Sequence, residues 1–542
     1  MTSFLSPKTL KSWLHDGGEI ALLDVREHGQ YGESHLFYGV PLPYSRLEVD
    51  VGRLVPRQSV RVVVYDSGEA DTDKVAIRAA AQLKRIGYSD VHVLEGGTRA
   101  WKEAGYVLFA GVNLPSKTFG ELAEHAYGTP RVTARQLAAM LKSDNPPTVL
   151  DGRPLTEFKK MSIPSATCCP NGELAYRVKD LVPDPSTPIV INCAGRTRSI
   201  IGAQTLINLG VENPVFALEN GTQGWFLEDL GLEHGSSRRY KPDAGSLALL
   251  DAANQLAERF GVPRVEATTV QAWACDASRT TFLCDVRSPE EFAAGSLSGA
   301  QSAPGGQLLQ AGDQYFGVRG ARLVLFDDDG VRAPTAASWL RQMGHDASVL
   351  IDGMNSGLAF PAVPQPAVPA LRNIKPHELL ALLPTGKVSV MDLRSSTEFR
   401  KRHITGARWS IRPRIGGLLK PERAQVVLVA DDPLLAAWAA TSEWPSGALA
   451  PLLLSGSIAD WEEVGLPMKS TSSEPEDIEC IDYLFFVHDR HDGNKEAARR
   501  YLAWETGLVA QLDGPERQAF RLPMTPAGSG NDDELPDRTR AL

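Results

Sequence analysis

Cysteine is scarce in this chain, six in 542 residues at irregular spacing, which excludes a disulfide framework and a paired Cys-x-x-Cys zinc site. Reduced thiols are the expectation. Long hydrophobic runs are missing as well. None approaches the ~20 residues of a membrane span, and Met1-Thr2-Ser3-Phe4-Leu5-Ser6-Pro7 lacks the charged start and apolar stretch of a secretory signal. The chain is therefore expected in the cytoplasm, with no membrane partner. No Lys/Arg run or basic domain stands out against a net charge of -10, so nucleic acid is not an expected partner. No His/Cys/Asp group has ligand spacing, and neither metal nor organic cofactor is implied; His488 and His491 read as surface residues. What remains, 43% hydrophobic and 23% charged, is the composition of a soluble, mildly acidic globular protein.

The length exceeds one core, and internal repetition divides it. A buried-looking strand ending in Asp-x-Arg occurs four times: Leu22-Leu23-Asp24-Val25-Arg26, Val149-Leu150-Asp151-Gly152-Arg153, Leu283-Cys284-Asp285-Val286-Arg287 and Val390-Met391-Asp392-Leu393-Arg394. An acidic residue with a nearby aromatic follows each time: Glu27 and Tyr31, Glu157-Phe158, Glu291-Phe292, Glu398-Phe399. Each unit continues with a second apolar strand (Arg61 to Tyr65, Ile189 to Asn192, Arg322 to Phe326, Val426 to Ala430), a helical stretch and a closing turn: Leu94-Glu95-Gly96-Gly97, Leu218-Glu219-Asn220-Gly221, Leu350-Ile351-Asp352-Gly353 or Leu453-Leu454-Ser455-Gly456. Short apolar strands alternating with helices predict α/β units, each a mainly parallel sheet covered on both faces. The units are placed at 1–110, 128–235, 262–360 and 371–470, with Ser246 to Phe260 as a connecting helix and Pro361 to Pro366 as a spacer. Residues 471–542 match no unit. In them Asp482 to Val487 reads as a strand, Asn494 to Glu505 as an amphipathic helix and the last ~15 residues as a disordered tail, with the extension as a whole either capping the fourth unit or mediating dimerisation.

One loop carries the chemistry. Asn192-Cys193-Ala194-Gly195-Arg196-Thr197-Arg198-Ser199 joins an apolar strand to a helix predicted over Ile200 to Leu209. Loop N–H groups, the helix N-terminus and two arginines make an anion-binding setting that also favours a nucleophilic thiolate. Aligning strand ends and closing turns puts Asp66, Asp327 and Asp431 at or beside the place of Cys193. A carboxylate cannot replace a thiolate as nucleophile and repels a bound anion, so the first, third and fourth units read as inactive. Asp151 and Arg153 read as a structural ion pair supporting the site. Cys284, Cys275 and Cys480 read as inert. The vicinal Cys168-Cys169 reads as packing, since adjacent cysteines bridge with poor geometry.

These motifs, the Asp-x-Arg strand ends, the Cys-Ala-Gly-Arg-Thr-Arg-Ser loop and the Gly-rich closing turns, resemble the rhodanese family of sulfurtransferases over residues 1–470. The resemblance implies a five-stranded parallel sheet in each of four tandem units and a cysteine that carries sulfane sulfur as a persulfide. It makes Cys193 the catalytic residue and Ala194, Gly195, Arg196, Thr197, Arg198 and Ser199 the loop that binds substrate. The expected partners are a small anionic sulfur donor such as thiosulfate and a thiol or cyanide-like acceptor, or a protein acceptor. Two other classes remain open. A relay loaded by a partner protein would use the inactive units as docking surfaces. A phosphatase or arsenate reductase of the Cdc25 type would need Cys-x5-Arg, whereas position 199 is Ser and the spacing here is Cys-x4-Arg.

Overall fold

The computed structural model describes residues 2–68, 73–419, 425–485 and 494–523. It contains four five-stranded sheets with one shared topology. In the second unit the strands are Arg131–Val132, Thr148–Asp151, Thr167–Cys168, Ile189–Asn192 and Val215–Leu218, lying side by side in the order one, five, four, two, three. All pair in parallel. The first, third and fourth sheets repeat that order. The central strands are apolar because helices cover both faces: Ile189, Val190 and Ile191 are fully buried, as are Val62, Val63 and Val64 of the first unit. A small antiparallel pair, His403–Ile404 with Met468–Lys469, is added beside the fourth sheet.

The strand-end Asp-x-Arg has one geometry in all four units. Arg153 Nε donates to Asp151 Oδ1 at 2.8 Å and Nη2 to Oδ2 at 2.7 Å. Its Nη2 also donates to the Met161 carbonyl, tying the strand end to the chain that leads to the third strand. Arg26 reaches the Ser34 carbonyl in the same way, Arg287 that of Gly295 and Arg394 that of Arg402. A buried pair repeated in every unit, whatever stands at the cysteine position, is a structural clamp.

The units are not strung in a line. A single apolar cluster joins the first and third, with Leu54, Val62 and Val64 packed in one core with Phe316, Leu323 and Trp339. The helix Leu114–Tyr127, which matches no repeat, inserts Phe119 and Ala123 into that core. Buried Arg412 of the fourth unit pairs with Glu48 of the first, and Arg332 of the third with Glu173 of the second at 2.9 Å. The stretch read as a connecting helix is a short turn, Leu247–Leu249, leading into the helix Leu250–Arg259.

The segment after residue 470 differs from its reading. Asp482 and Tyr483 lie in a turn and a bend rather than a strand, and polar groups here bridge units. The Ile481 carbonyl accepts from Gly29 N of the first unit at 2.8 Å, and the Asp482 carboxylate from Ser396 N of the fourth at 2.7 Å. Phe486, Val487, His488, His491 and the tail lie outside the described residues. The predicted helix is present as Lys495–Thr506, begun by the Asn494 side chain accepting from Ala497 N. It does not cap the fourth unit alone. Trp504 Nε1 donates to the Ala110 carbonyl and Glu516 pairs with Lys11 of the first unit, Lys495 pairs with Asp229 of the second at 2.5 Å, and Arg521 N donates to the Gln342 carbonyl of the third, so with Asp482 the segment touches every unit. No helix among the described residues is long and apolar enough to cross a membrane.

Candidate active site

Hydrogen-bond register fixes which residues correspond between units. At the end of the fourth strand, the Asn192 carbonyl accepts from Gly152 N, Tyr65 from Val25 N, Phe326 from Val286 N and Val429 from Leu393 N. The next residues are therefore equivalent: Cys193, Asp66, Asp327 and Ala430. In the fourth unit the strand ends at Val429, so Asp431 stands one residue beyond the cysteine position and Ala430 occupies it. The closing turns agree. Thr222 N donates to the Cys193 carbonyl, Thr98 N to that of Asp66 and Met354 N to that of Asp327, each at 2.9 Å. A Cβ on Gly221 would stand 2.3 Å from the Cys193 carbonyl oxygen, at a φ of +52°, so glycine alone lets the turn approach the loop this closely.

In the first and third units a carboxylate occupies the nest that this loop forms. Asp66 accepts from Gly68 N and Ala76 N at 2.8 and 3.0 Å, and Asp327 from Gly330 N and Ala333 N at 2.9 and 2.7 Å. Burial, reinforced by Asp329, pushes the Asp327 carboxyl up to about 7 despite those donors. Counted from the strand end, Arg196 and Ser199 carry the amides equivalent to Gly330 and Ala333.

Cys193 is 2% exposed and lies at one side of a cleft of about 350 Å³. The second unit supplies the loop 193–198 together with Arg153, Glu157 and Lys160; the inter-unit helix supplies Lys117; the third unit supplies Gln307, Gln310 and Gln314; the C-terminal helix supplies Tyr501 and Glu505. No repeat motif marks these last three walls, and sequence reasoning missed them.

The loop residues are held as follows. The helix starts at Thr197, three residues earlier than predicted, so Arg198 and Ser199 sit in its first turn. Ala194 and Gly195 are backbone elements of the loop, and a Cβ on Gly195 would lie 2.8 Å from Glu505 Oε2. Thr197 donates its hydroxyl to Glu505 Oε1 at 3.2 Å, and Ser199 donates to the carbonyls of Arg196 and Leu218. Both hydroxyls of this substrate-binding candidate loop thus serve the loop and its neighbours. Arg196 turns toward the inter-unit helix, pairing with Glu121 at 2.7 Å and Glu124 at 2.5 Å. Arg198 makes a two-pronged pair with Glu157 at 2.8 and 2.7 Å. The third unit repeats that pair without a cysteine, Arg332 with Glu291 at 2.7 and 2.9 Å. Asp151, beneath the loop, also accepts from Asn192 Nδ2 at 2.6 Å.

The other thiols stand apart from such a setting. Burial pushes Cys168 up to about 12 and Cys169 well above the ordinary thiol range, and both are unbridged. Cys284 is buried in its strand and likewise raised to about 12. Cys275 is exposed, and burial raises Cys480. Among the described residues no cluster could hold a metal ion.

Known proteins match this architecture. The rhodanese-like domain model matches residues 6–104, 133–228 and 267–359. The crystal structure of a thiosulfate sulfurtransferase from Pseudomonas aeruginosa is 40% identical, with a TM-score of 0.87 over 96% of this chain and 99% of that one. A probable adenylyltransferase/sulfurtransferase, MoeZ of Mycobacterium tuberculosis, is 30% identical over 99 residues, and an uncharacterized protein, slr1261 of Synechocystis, is 31% identical over 111. Those stretches span 24% and 58% of the two proteins' own lengths. With three matched domains and one strand order in four sheets, the chain belongs to the rhodanese family of sulfurtransferases, its rhodanese-like units in tandem.

Proposed function

We propose that the chain transfers sulfane sulfur from thiosulfate to a small thiophilic acceptor through a persulfide on Cys193, and that the other three units are catalytically silent. One observation carries the reading. The four equivalent strand-end positions hold Asp66, Cys193, Asp327 and Ala430, and Cys193 alone among them is a sulfur nucleophile, facing a cleft of substrate size. The Cys193 thiolate attacks the outer sulfur of thiosulfate. The S–S bond of the donor breaks, and sulfite leaves with the bonding electrons. The acceptor then attacks the outer sulfur of the persulfide and regenerates the thiolate, so a cyanide acceptor leaves as thiocyanate. The loop amides from Ala194 to Ser199 stabilise the anionic sulfur, Asp151 and Arg153 clamp the strand end beneath it, and Arg196 and Arg198 hold the loop through their carboxylate partners.

Intact-mass measurement of the reduced protein after thiosulfate treatment, beside Cys193→Ala, tests this. The expected result is a cyanide-labile gain of one sulfur atom in the parent and none in the variant. A gain that persists in the variant assigns the chemistry to another cysteine. Loading by a protein persulfide but not by thiosulfate replaces turnover with a relay, a reading that the near-complete burial of Cys193 disfavours.

A further inference from the structure

Resting on that reading, we propose that Lys160 is the residue that selects an anionic sulfur donor, a role that residue type alone had given to the loop arginines. Five cations line the cleft beside Cys193: Lys117, Arg153, Lys160, Arg196 and Arg198. Four are committed to carboxylates. Lys117 Nζ lies 3.0 Å from Glu505, Arg153 is clamped to Asp151, Arg196 lies between Glu121 and Glu124, and Arg198 grips Glu157. Among the described residues, those five carboxylates match the five cations in number, so the paired arginines and Lys117 offer an anion no uncompensated charge. Among the described residues, Lys160 is the lining cation with no carboxylate within ion-pair distance. It is exposed at the end of the helix Leu155–Lys160, on a flexible stem that lets its compact charge follow a ligand.

The fourth unit shows how that freedom arises. Counted from the strand-end aspartate, Lys401 is the counterpart of Lys160, and it is tied to Glu398 at 2.6 Å. Glu398 is the counterpart of Glu157. The fourth unit has Leu435 where the second has Arg198, so Glu398 is left to the lysine, whereas both oxygens of Glu157 are taken by the Arg198 fork. Arg198 thus neutralises the carboxylate that would otherwise quench Lys160. The first and third units carry Glu33 and Ala294 at this place. A lysine without a carboxylate partner accompanies the cysteine-bearing unit, and a divalent anion such as thiosulfate is the donor class it favours.

Steady-state kinetics with thiosulfate and cyanide on the full chain, for Lys160→Gln, Lys160→Glu and Lys160→Arg, tests the assignment. Persulfide loading at saturating thiosulfate is followed in parallel by intact mass. An exposed charge contact acts on affinity in a salt-sensitive way, so KM for thiosulfate rises about five-fold in the glutamine variant and about ten-fold or more in the glutamate variant, with kcat within about two-fold. The arginine variant restores the parent value, and high ionic strength closes the gap. All variants load fully at saturation. An unchanged KM in Lys160→Glu at low salt overturns the assignment, as does a fall in kcat at constant KM. Absence of loading in the parent overturns the sulfurtransferase reading itself, and this inference with it.

Discussion

Arg196→Met separates the two roles that an arginine in this loop can have. The guanidinium is 7% exposed as a residue and bonds Glu121 through two nitrogens and Glu124 through one. Burial already pushes the Glu121 carboxyl upward, and Arg196 is what draws it back down. Methionine keeps much of the side-chain volume but leaves two carboxylates facing each other beside Glu505. Removing one partner of a buried ion pair costs about 3–5 kcal/mol; because Glu124 is partly exposed, about 3 kcal/mol is expected here. The assay is urea unfolding followed by the transition that includes the second unit, at several pH values. The sign follows from linkage. In the variant the folded-state carboxyl is raised above its unfolded value, so it binds protons more readily folded than unfolded, and stability falls as pH rises through the folded value. The defect is therefore smaller near pH 5 than near pH 8. Arg196→Met combined with Glu121→Gln and Glu124→Gln recovers most of the loss, since no unmatched charge remains. An Arg196→Met protein with parental stability and a raised KM for thiosulfate would refute this reasoning and make Arg196 a donor-binding residue.

Two further outcomes follow from other parts of the fold. Gly221→Ala drives a methyl group toward the Cys193 carbonyl and lowers sulfur-transfer kcat at least about ten-fold by displacing the loop, whereas Gly97→Ala, which meets the Asp66 carbonyl in the first unit, lowers stability and leaves kcat unchanged; equal effects on kcat would contradict the assignment of one active loop. Burial, with help from Asp482, raises Glu27 from 4.5 to about 7, so its contribution to stability is full below the unfolded value and is lost as pH rises toward and through about 7. Glu27→Gln, which keeps an acceptor for Ser45, therefore flattens the dependence of the first thermal transition between about pH 5 and pH 8, and an unchanged slope would assign the titration to another group such as Asp327.

The periodic parts of this molecule were legible from residues alone. Strand cores such as Ile189-Val190-Ile191, the Asp-x-Arg clamps and the closing turns are local, so each unit announced its own architecture. Cys193 could be singled out as the candidate because a strand, a cysteine and Gly-Arg-Thr-Arg-Ser adjoin in sequence. The partners of the arginines were not legible. Glu121 and Glu124 stand on a helix that belongs to no repeat, and the clustering of the third unit and the C-terminal helix around Cys193 is a matter of tertiary packing that no spacing encodes. The shift from Asp431 to Ala430 has a smaller cause: Asp431-Asp432-Pro433 offers several acidic positions, and backbone register rather than residue type decides which one follows the strand.

The four-sided cleft has a consequence for biosynthesis. Its walls come from Lys117, from the stretch 153–198, from Gln307 to Gln314 and from Tyr501 and Glu505, and a ribosome delivers these in that order, with domains folding from the N-terminus onward. The thiol at position 193 thus leaves the ribosome while more than half of the chain is still unmade, and it stays open on the sides that Gln310 and Tyr501 later close. Fragments ending before residue 495, whether from premature termination or from proteolysis, carry Cys193 without the wall that Tyr501 and Glu505 supply. On the proposed reading, full sulfur-transfer competence is expected only after the helix Lys495–Thr506 has docked.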